Sequence, residues 1–341
     1  MMRKSKDNPT AEIDFVIPWV DGSDKEWLVE KAKYDPSAML NSDSPVRYRD
    51  WDNLHYWFRA VERFAPWVNK VHFITWGHLP PWLNTENPKL HIVNHRDYIP
   101  EKYLPTFSSH TIELNMHRIE GLSEQFVYFN DDMFITAPTV PEDFFKGGLP
   151  CDCFGLNCIY FGHDSAGHFN GSNMEVINTE FKEKRAIMKR DFRKWFSPKN
   201  GLRKNIKTLM LLGWEWFPGF NYNHLPTSFL KSTFEEVWGK YHDVLDKTCL
   251  DKFRTESNVN QWLMKYWQLC KGSYAVRSDS IGECFHIEEK NFGELIKALS
   301  VQQYKMVCIN DTPRTIHFEE KKQKVKDCFE VMLPEKSSFE I

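Results

Sequence analysis

Four short apolar runs, at 13–20, 71–75, 90–94 and 126–129, each end in a turn, and stretches of helical spacing lie between them. This alternation constrains the fold more than any other feature of the chain. Strands alternating with helices are joined by crossovers, so neighbouring strands run parallel and helices cover both faces of the sheet. The expected fold is therefore α/β: a doubly wound, mostly parallel sheet, Rossmann-like or GT-A-like, with a helical insertion. The turns after the four runs carry Asp21, Gly77, His95 with Asp97, and Asp131 with Asp132. In such a sheet these groups meet at one edge, the carboxyl edge where open α/β sheets bind ligands.

The spacing also predicts the connections. Residues 28–46 read as a helix and a loop. Leu54, Trp57, Phe58, Val61 and Phe64 fall on one face of a helix within 50–64, and Pro66 stops it. A helix is expected at 112–119, capped by Ser108 or Ser109. Beyond 148 the pattern is less regular. It holds a basic helical stretch at 182–210 broken at Pro198, a helical pair at 232–246 and 257–270, and a last forty residues made of a short helix, a turn at Cys308, Ile309, Asn310 and Asp311, and a mixed-charge tail. Three parts are expected: 1–150 as a nucleotide-binding half, 151–222 as an insertion, and 223–341 as a helical completion of the same domain.

Composition narrows the function. With 341 residues, 41% hydrophobic and 27% charged, the chain can bury a large core. An aromatic share of 15%, with 13 Trp and 26 Phe, suits stacking on sugars or bases, or an aromatic-rich core. The net charge is −3, yet eleven Lys or Arg face only Glu183 and Asp191 between Lys182 and Lys207, a net +9 that leaves −12 elsewhere. That stretch reads as a solvated helical face, as a contact with an anionic membrane, or as a site for a polyanionic product. A negative chain with no recognised module argues against nucleic acid as a partner. No run of 18 apolar residues exists, and the polar first residues do not read as a signal peptide. The eight Cys lack paired spacing and read as reduced thiols, so the expected location is cytoplasmic.

No phosphate-binding glycine loop, G-x-G-x-x-G, G-x-S-x-G or H-E-x-x-H occurs. What remains is acidic pairs with scattered His and Arg. The run Phe126, Val127, Tyr128, Phe129, Asn130, Asp131, Asp132 leads a strand into an amide and two carboxylates. Such a group holds a hard cation beside a phosphorylated substrate, or it is an ordinary acidic turn. His110, Glu113 and His117 fall near one helical face, as a metal site or as a hydrogen-bond network. Arg47 and Arg49 precede a helix start, where anions are favoured or where the side chains are simply solvated. His224 lies in Asn223, His224, Leu225, Pro226. Arg254 lies just before an expected helix carrying Asn258 and Asn260.

Several segments occur together in order: 13–24, Arg47-Tyr48-Arg49-Asp50, Ala65-Pro66-Trp67-Val68, 104–110 and Tyr128-Phe129-Asn130-Asp131-Asp132. They resemble the first two conserved blocks of the Stealth family. Asn223-His224-Leu225-Pro226 with Phe253-Arg254 and Asn258-Val259-Asn260 resembles the third, and Cys308-Ile309-Asn310-Asp311 the fourth. The likeness spans roughly 13 to 315. It implies a bacterial sugar-1-phosphate transferase of capsule synthesis, and 181–209 resembles the insert of capsule polymerases. An acceptor hydroxyl then attacks the phosphorus of a UDP-sugar. The resemblance implies Asp132, His224 and Arg254 as catalytic, with His224 the general base and Arg254 the phosphate clamp. It implies Asp21, Asp24, Arg49, His110, Asn130, Asn260 and Asn310 as substrate-binding, and Asp131, Asp132 and Asp311 as ligands of Mg2+ or Mn2+. The implied partners are a nucleotide-sugar donor and a capsular oligosaccharide acceptor. A peripheral contact with the anionic inner face of the membrane or with capsule assembly proteins completes the expectation. Two competing readings use the same residues: a metal-dependent GT-A-type glycosyltransferase forming glycosidic bonds, and a noncatalytic module binding acidic glycans.

Overall fold

The computed structural model describes residues 11–34, 49–162, 166–221, 223–312 and 315–341. Four strands, β1 (Ile13–Pro18), β2 (Val71–Thr75), β3 (Leu90–Asn94) and β4 (Gln125–Tyr128), pair in parallel in the order β4-β1-β2-β3. The register sets Phe15 opposite both Val71 and Val127. The chain steps outward from β1 to β3 and then returns to the far side of β1. Crossovers on opposite sides make the sheet doubly wound and open a crevice between β1 and β4.

Alternation along each strand divides the core. Phe15, Ile17, Phe73, Val127 and Phe129 face one side, where Trp57, Phe58, Val61 and Phe64 of the helix Leu54–Phe64 cover them. Val16, Ile74, Val93, Phe126 and Tyr128 face the other, against Leu114, Phe234, Trp238, Leu263 and Trp267. Burying one such aromatic or aliphatic side chain is worth about 1.5–3 kcal/mol. The high aromatic content is therefore largely core.

Asp14 is the polar exception on β1, fully buried. Its carboxylate accepts from Asn69 Nδ2 at 2.9 Å, the Lys70 N–H at 3.1 Å and the Ser123 N–H at 2.8 Å, and meets His72 Nε2 at 3.1 Å. Burial opposes its charge, but His72, Ser123 and Asn69 outweigh burial and hold the carboxyl below its usual pKa.

The structure departs from the sequence-based expectation in several places. β1 stops at Pro18, which has no N–H to give the ladder, although the Trp19 N–H still reaches Ile74 O at 2.8 Å. The expected helix at 112–119 is a short α-helix, Ser109–Leu114, followed by a 3-10 turn at Met116–Arg118. Asn258 and Asn260 precede their helix, Trp262–Lys271, rather than riding on it. Cys308 is in a strand, Met306–Asn310, not a turn. The mixed-charge tail is a fifteen-residue helix, Phe318–Met332, whose Val325, Phe329 and Met332 enter the core.

Two further pairings build the site. The strand Thr227–Leu230 joins β4 from outside, antiparallel, with Thr227 opposite Tyr128. A second sheet sets β5 (Met133–Ile135) antiparallel to Met306–Asn310, with Met133 opposite Cys308, and Gly282–His286 parallel to Met306–Asn310 beyond.

Candidate active site

Register alone explains how three distant segments meet. Thr227 pairs with the last residue of β4, so the turn before it lies at the carboxyl end of that strand. His224 is in this turn. Its Nε2 is 3.3 Å from Asn130 Nδ2 and 3.6 Å from Asp132 Oδ2. From the other side, the Ile309 N–H donates to Asp132 O at 2.8 Å, and Cys308 Sγ donates to Asp132 Oδ2 at 3.3 Å. The ligand atoms of Asp132, His224 and Cys308 all lie within 4.8 Å of one another.

The electrostatics follow from crowding. Burial disfavours charge on His224, but the facing Asp132 carboxylate prevails and raises its pKa above the ordinary value. Asp131 is open to solvent, yet the protein mass around it, and then the like charge of Asp132, push its carboxyl up to about 7. Arg254 pulls in the opposite direction on both Asp131 and the buried Glu113, whose pKa burial raises. The Arg254 guanidinium is steered by a 2.5 Å bond from Nη2 to Ser109 Oγ, and Glu113 accepts from the Tyr128 hydroxyl at 3.1 Å. Arg254 therefore acts on the same acidic edge.

The other candidates have definite places. Asp21 Oδ1 accepts from the Ser23 N–H at 2.8 Å, and its own N–H donates to His78 Nε2 at 2.8 Å. Asp24 Oδ1 accepts from the Trp27 N–H at 2.7 Å, in the first turn of the helix Lys25–Tyr34. Arg49 Nη1 is 3.7 Å from Asp311 Oδ2, and its guanidinium lies 4.9 Å from the Phe318 ring. Arg47 lies outside the described residues. Asn310 Nδ2 is 3.3 Å from His286 Nδ1. His110 is buried beside the Phe169 ring at 4.6 Å. Asn260 is buried too: its Oδ1 accepts from Asn173 Nδ2 at 2.8 Å, and its backbone N–H donates to Asn173 Oδ1 at 3.1 Å. His117 packs against the rings of Phe234 and Trp238, away from this edge, and burial pushes its pKa down to about 3.

A hard divalent cation takes oxygen ligands. Asp132 Oδ1 is buried and has no hydrogen-bond partner among the described residues, and the same holds for Asp311 Oδ2. An unpartnered carboxylate oxygen beside the Asp131 carboxyl, raised by surrounding protein and then by like charge, fits such a cation. Cys308 Sγ donates to Asp132 Oδ2, and burial raises its thiol well above the usual pKa. Neither Asp131 nor Asp311 enters the three-residue group with His224 and Cys308. Sequence reading missed Cys308 as a member of the site. It stands two residues before Asn310, hence on the same face of a strand, but that signal needs the strand to be known.

Residues 11–38 match conserved region 1 of the Stealth proteins and residues 47–150 match conserved region 2. A capsular polysaccharide phosphotransferase, WcwK, of Streptococcus pneumoniae is 41% identical over 96% of this chain and 98% of its own length. A receptor polysaccharide phosphotransferase, WefC, of Streptococcus oralis is 41% identical over 97% and 99%. An exopolysaccharide phosphotransferase, cps2G, of Lactiplantibacillus plantarum is 38% identical over 96% of both chains. Among solved structures, the galactosyltransferase LgtC aligns over 92% of this chain and 95% of its own, at 9% identity and a TM-score of 0.37, too loose a likeness to carry an argument. Full-length identity at this level, with both conserved regions matched, settles the matter: the chain is an enzyme belonging to the Stealth family of transferases.

Proposed function

We propose that the enzyme transfers a hexose-1-phosphate, an N-acetylhexosamine-1-phosphate, from a UDP-sugar to a hydroxyl of a growing capsular polysaccharide. The observation that carries this reading is the His224–Asp132 pair at the crevice, 3.6 Å apart. The acceptor oxygen attacks the phosphorus attached to the sugar, and its proton passes to His224. The bond from that phosphorus to the leaving UMP breaks while the sugar C1–O bond stays intact. Asp132 orients the imidazole and favours its protonated form. Arg254 offsets charge on the nonbridging oxygens through its planar fork. Asp131, Asp132 and Asp311 would hold Mg2+ or Mn2+, which would supply further neutralisation of the pyrophosphate charge. Asp21, Asp24, Arg49, His110, Asn130, Asn260 and Asn310 contact or support the donor. The division at 1–150, 151–222 and 223–341 belongs to the same reading. So does a cytoplasmic enzyme touching the inner membrane face or capsule assembly proteins.

The test is phosphorus NMR of the products from UDP-sugars and capsule-derived oligomers. A phosphodiester resonance with UMP is expected, and His224→Ala should bind donor yet form neither. A phosphorus-free saccharide with UDP would reassign the enzyme to glycosidic transfer.

A further inference from the structure

The helix Leu202–Met210 wears its faces reversed. At 100° per residue, Leu202, Ile206, Leu209 and Met210 share one side and Lys204 and Thr208 the other. A surface helix ordinarily buries its apolar side. Here Lys204 and Thr208 are buried, whereas Leu202, Ile206, Leu209 and Met210 are 77, 49, 61 and 77% exposed.

Contacts lock this orientation. Thr208 Oγ1 accepts from the Leu156 N–H at 2.9 Å. Lys204 Nζ pairs with Asp279 and donates to Asn223 Oδ1 at 3.2 Å. Gly155 comes so close that a Cβ there would lie 3.0 Å from both Lys204 Cβ and Thr208 Oγ1. Rolling the apolar side inward would strip a buried ammonium of its partners. The following turn is fixed as well. Lys184 Nζ donates to the carbonyls of Leu211 and Trp214, each at 2.7 Å. That turn carries Trp214 and Trp216, 59 and 45% exposed.

We infer that this face docks on an anionic lipid bilayer. An exposed apolar helical side in a strongly cationic segment, followed by exposed tryptophans, is the pattern of a helix lying in the membrane interface. The cations are in the same segment: Arg185, Lys189, Arg193, Lys199 and Arg203 are exposed within the stretch of net +9. A second copy of the chain would set this charge against itself across a two-fold contact, so charge complementarity selects an anionic surface. The inference deepens the membrane contact of the proposed function by giving it a place, and it rests on that reading only for location.

The full-length protein, mixed with phosphatidylcholine vesicles with or without phosphatidylglycerol, should float only with the anionic ones, and salt should release it. The triple variant Ile206→Ser, Leu209→Ser, Met210→Ser should lose roughly tenfold or more of that binding. It should keep its thermal midpoint and its activity on a water-soluble acceptor. Arg193→Glu with Arg203→Glu should erase the preference for anionic vesicles. Absence of wild-type flotation, or unchanged flotation of the triple variant, overturns the inference. A solution dimer that the triple variant dissolves without vesicles also overturns it, in favour of self-association. Failure of the wild type to turn over soluble substrates would count against the proposed chemistry and leave the vesicle result standing.

Discussion

Two adjacent carboxylates at one strand end resist ionising together, and Asp131 carries the strain. Its pKa rises from an ordinary 3.8 to about 7 through surrounding protein and the charge of Asp132. The folded state therefore holds a proton that the unfolded chain has already lost between those values. Stability from this group is complete below about pH 4 and is lost as pH rises towards 7. Asp131→Asn, which cannot ionise, should remove that slope. With divalent cations chelated, the variant should melt close to wild type at pH 4 and roughly 2 °C above it at pH 8. Solvent access limits the gain to about 1 kcal/mol. Parallel melting curves across that window would contradict the assignment. The two carboxylates were legible in the sequence because they are neighbours in it. The group that Asp132 meets was not: His224 and Cys308 are 92 and 176 positions away in the chain, and only strand register unites them.

At the scale of elements, the basic insertion does more than carry charge. Lys204 reaches inward from its helix to Asp279, whose Oδ1 also accepts from Asn223 Nδ2 at 2.6 Å and Cys153 Sγ at 3.3 Å. Burial opposes the Asp279 charge, but Lys204 and Asn223 overcome it and keep its pKa low. Asn223 directly precedes His224, so the insertion braces the turn that presents the imidazole. Lys204 is buried and Asp279 partly exposed, so removing Asp279 leaves the buried ammonium uncompensated. Because Asp279 keeps partial solvent access, Asp279→Ala should cost about 1–3 kcal/mol in urea unfolding, and the double variant Lys204→Met, Asp279→Ala clearly less than the sum of the singles. Additive losses would show that the two groups are not coupled. The sequence displays Lys204 as one cation among eleven and gives no reason to single it out. Its burial is decided by the helix phase against Gly155 and Leu156.

At the scale of the whole molecule, the helix Phe318–Met332 and the residues after it close the core face that the helix Leu54–Phe64 covers. Phe329 packs on Phe134 at 4.8 Å and stacks on Tyr56 at 5.4 Å, and Phe339 lies 5.2 Å from Phe58. Arg59 grips Glu340 with two bonds of 2.9 Å and donates a third to Leu333 O. Phe329→Ala should therefore lower stability by about 3–5 kcal/mol, read as a drop in the urea midpoint at unchanged slope. A loss below about 1 kcal/mol would mean that the terminal helix is only loosely attached. The sequence by itself determined the parallel α/β sheet, the strand ends that line its carboxyl edge, and the acidic pair. These depend on local alternation and turn chemistry, which operate over a few residues. Tertiary structure alone decided the antiparallel strand that delivers His224, the entry of Cys308 beside Asp132, the docking of the charged tail, and the outward turn of an apolar helix face. Each is a pairing or phase choice between segments far apart in the chain. No local pattern encodes such a choice, because its energy exists only once both surfaces have been built.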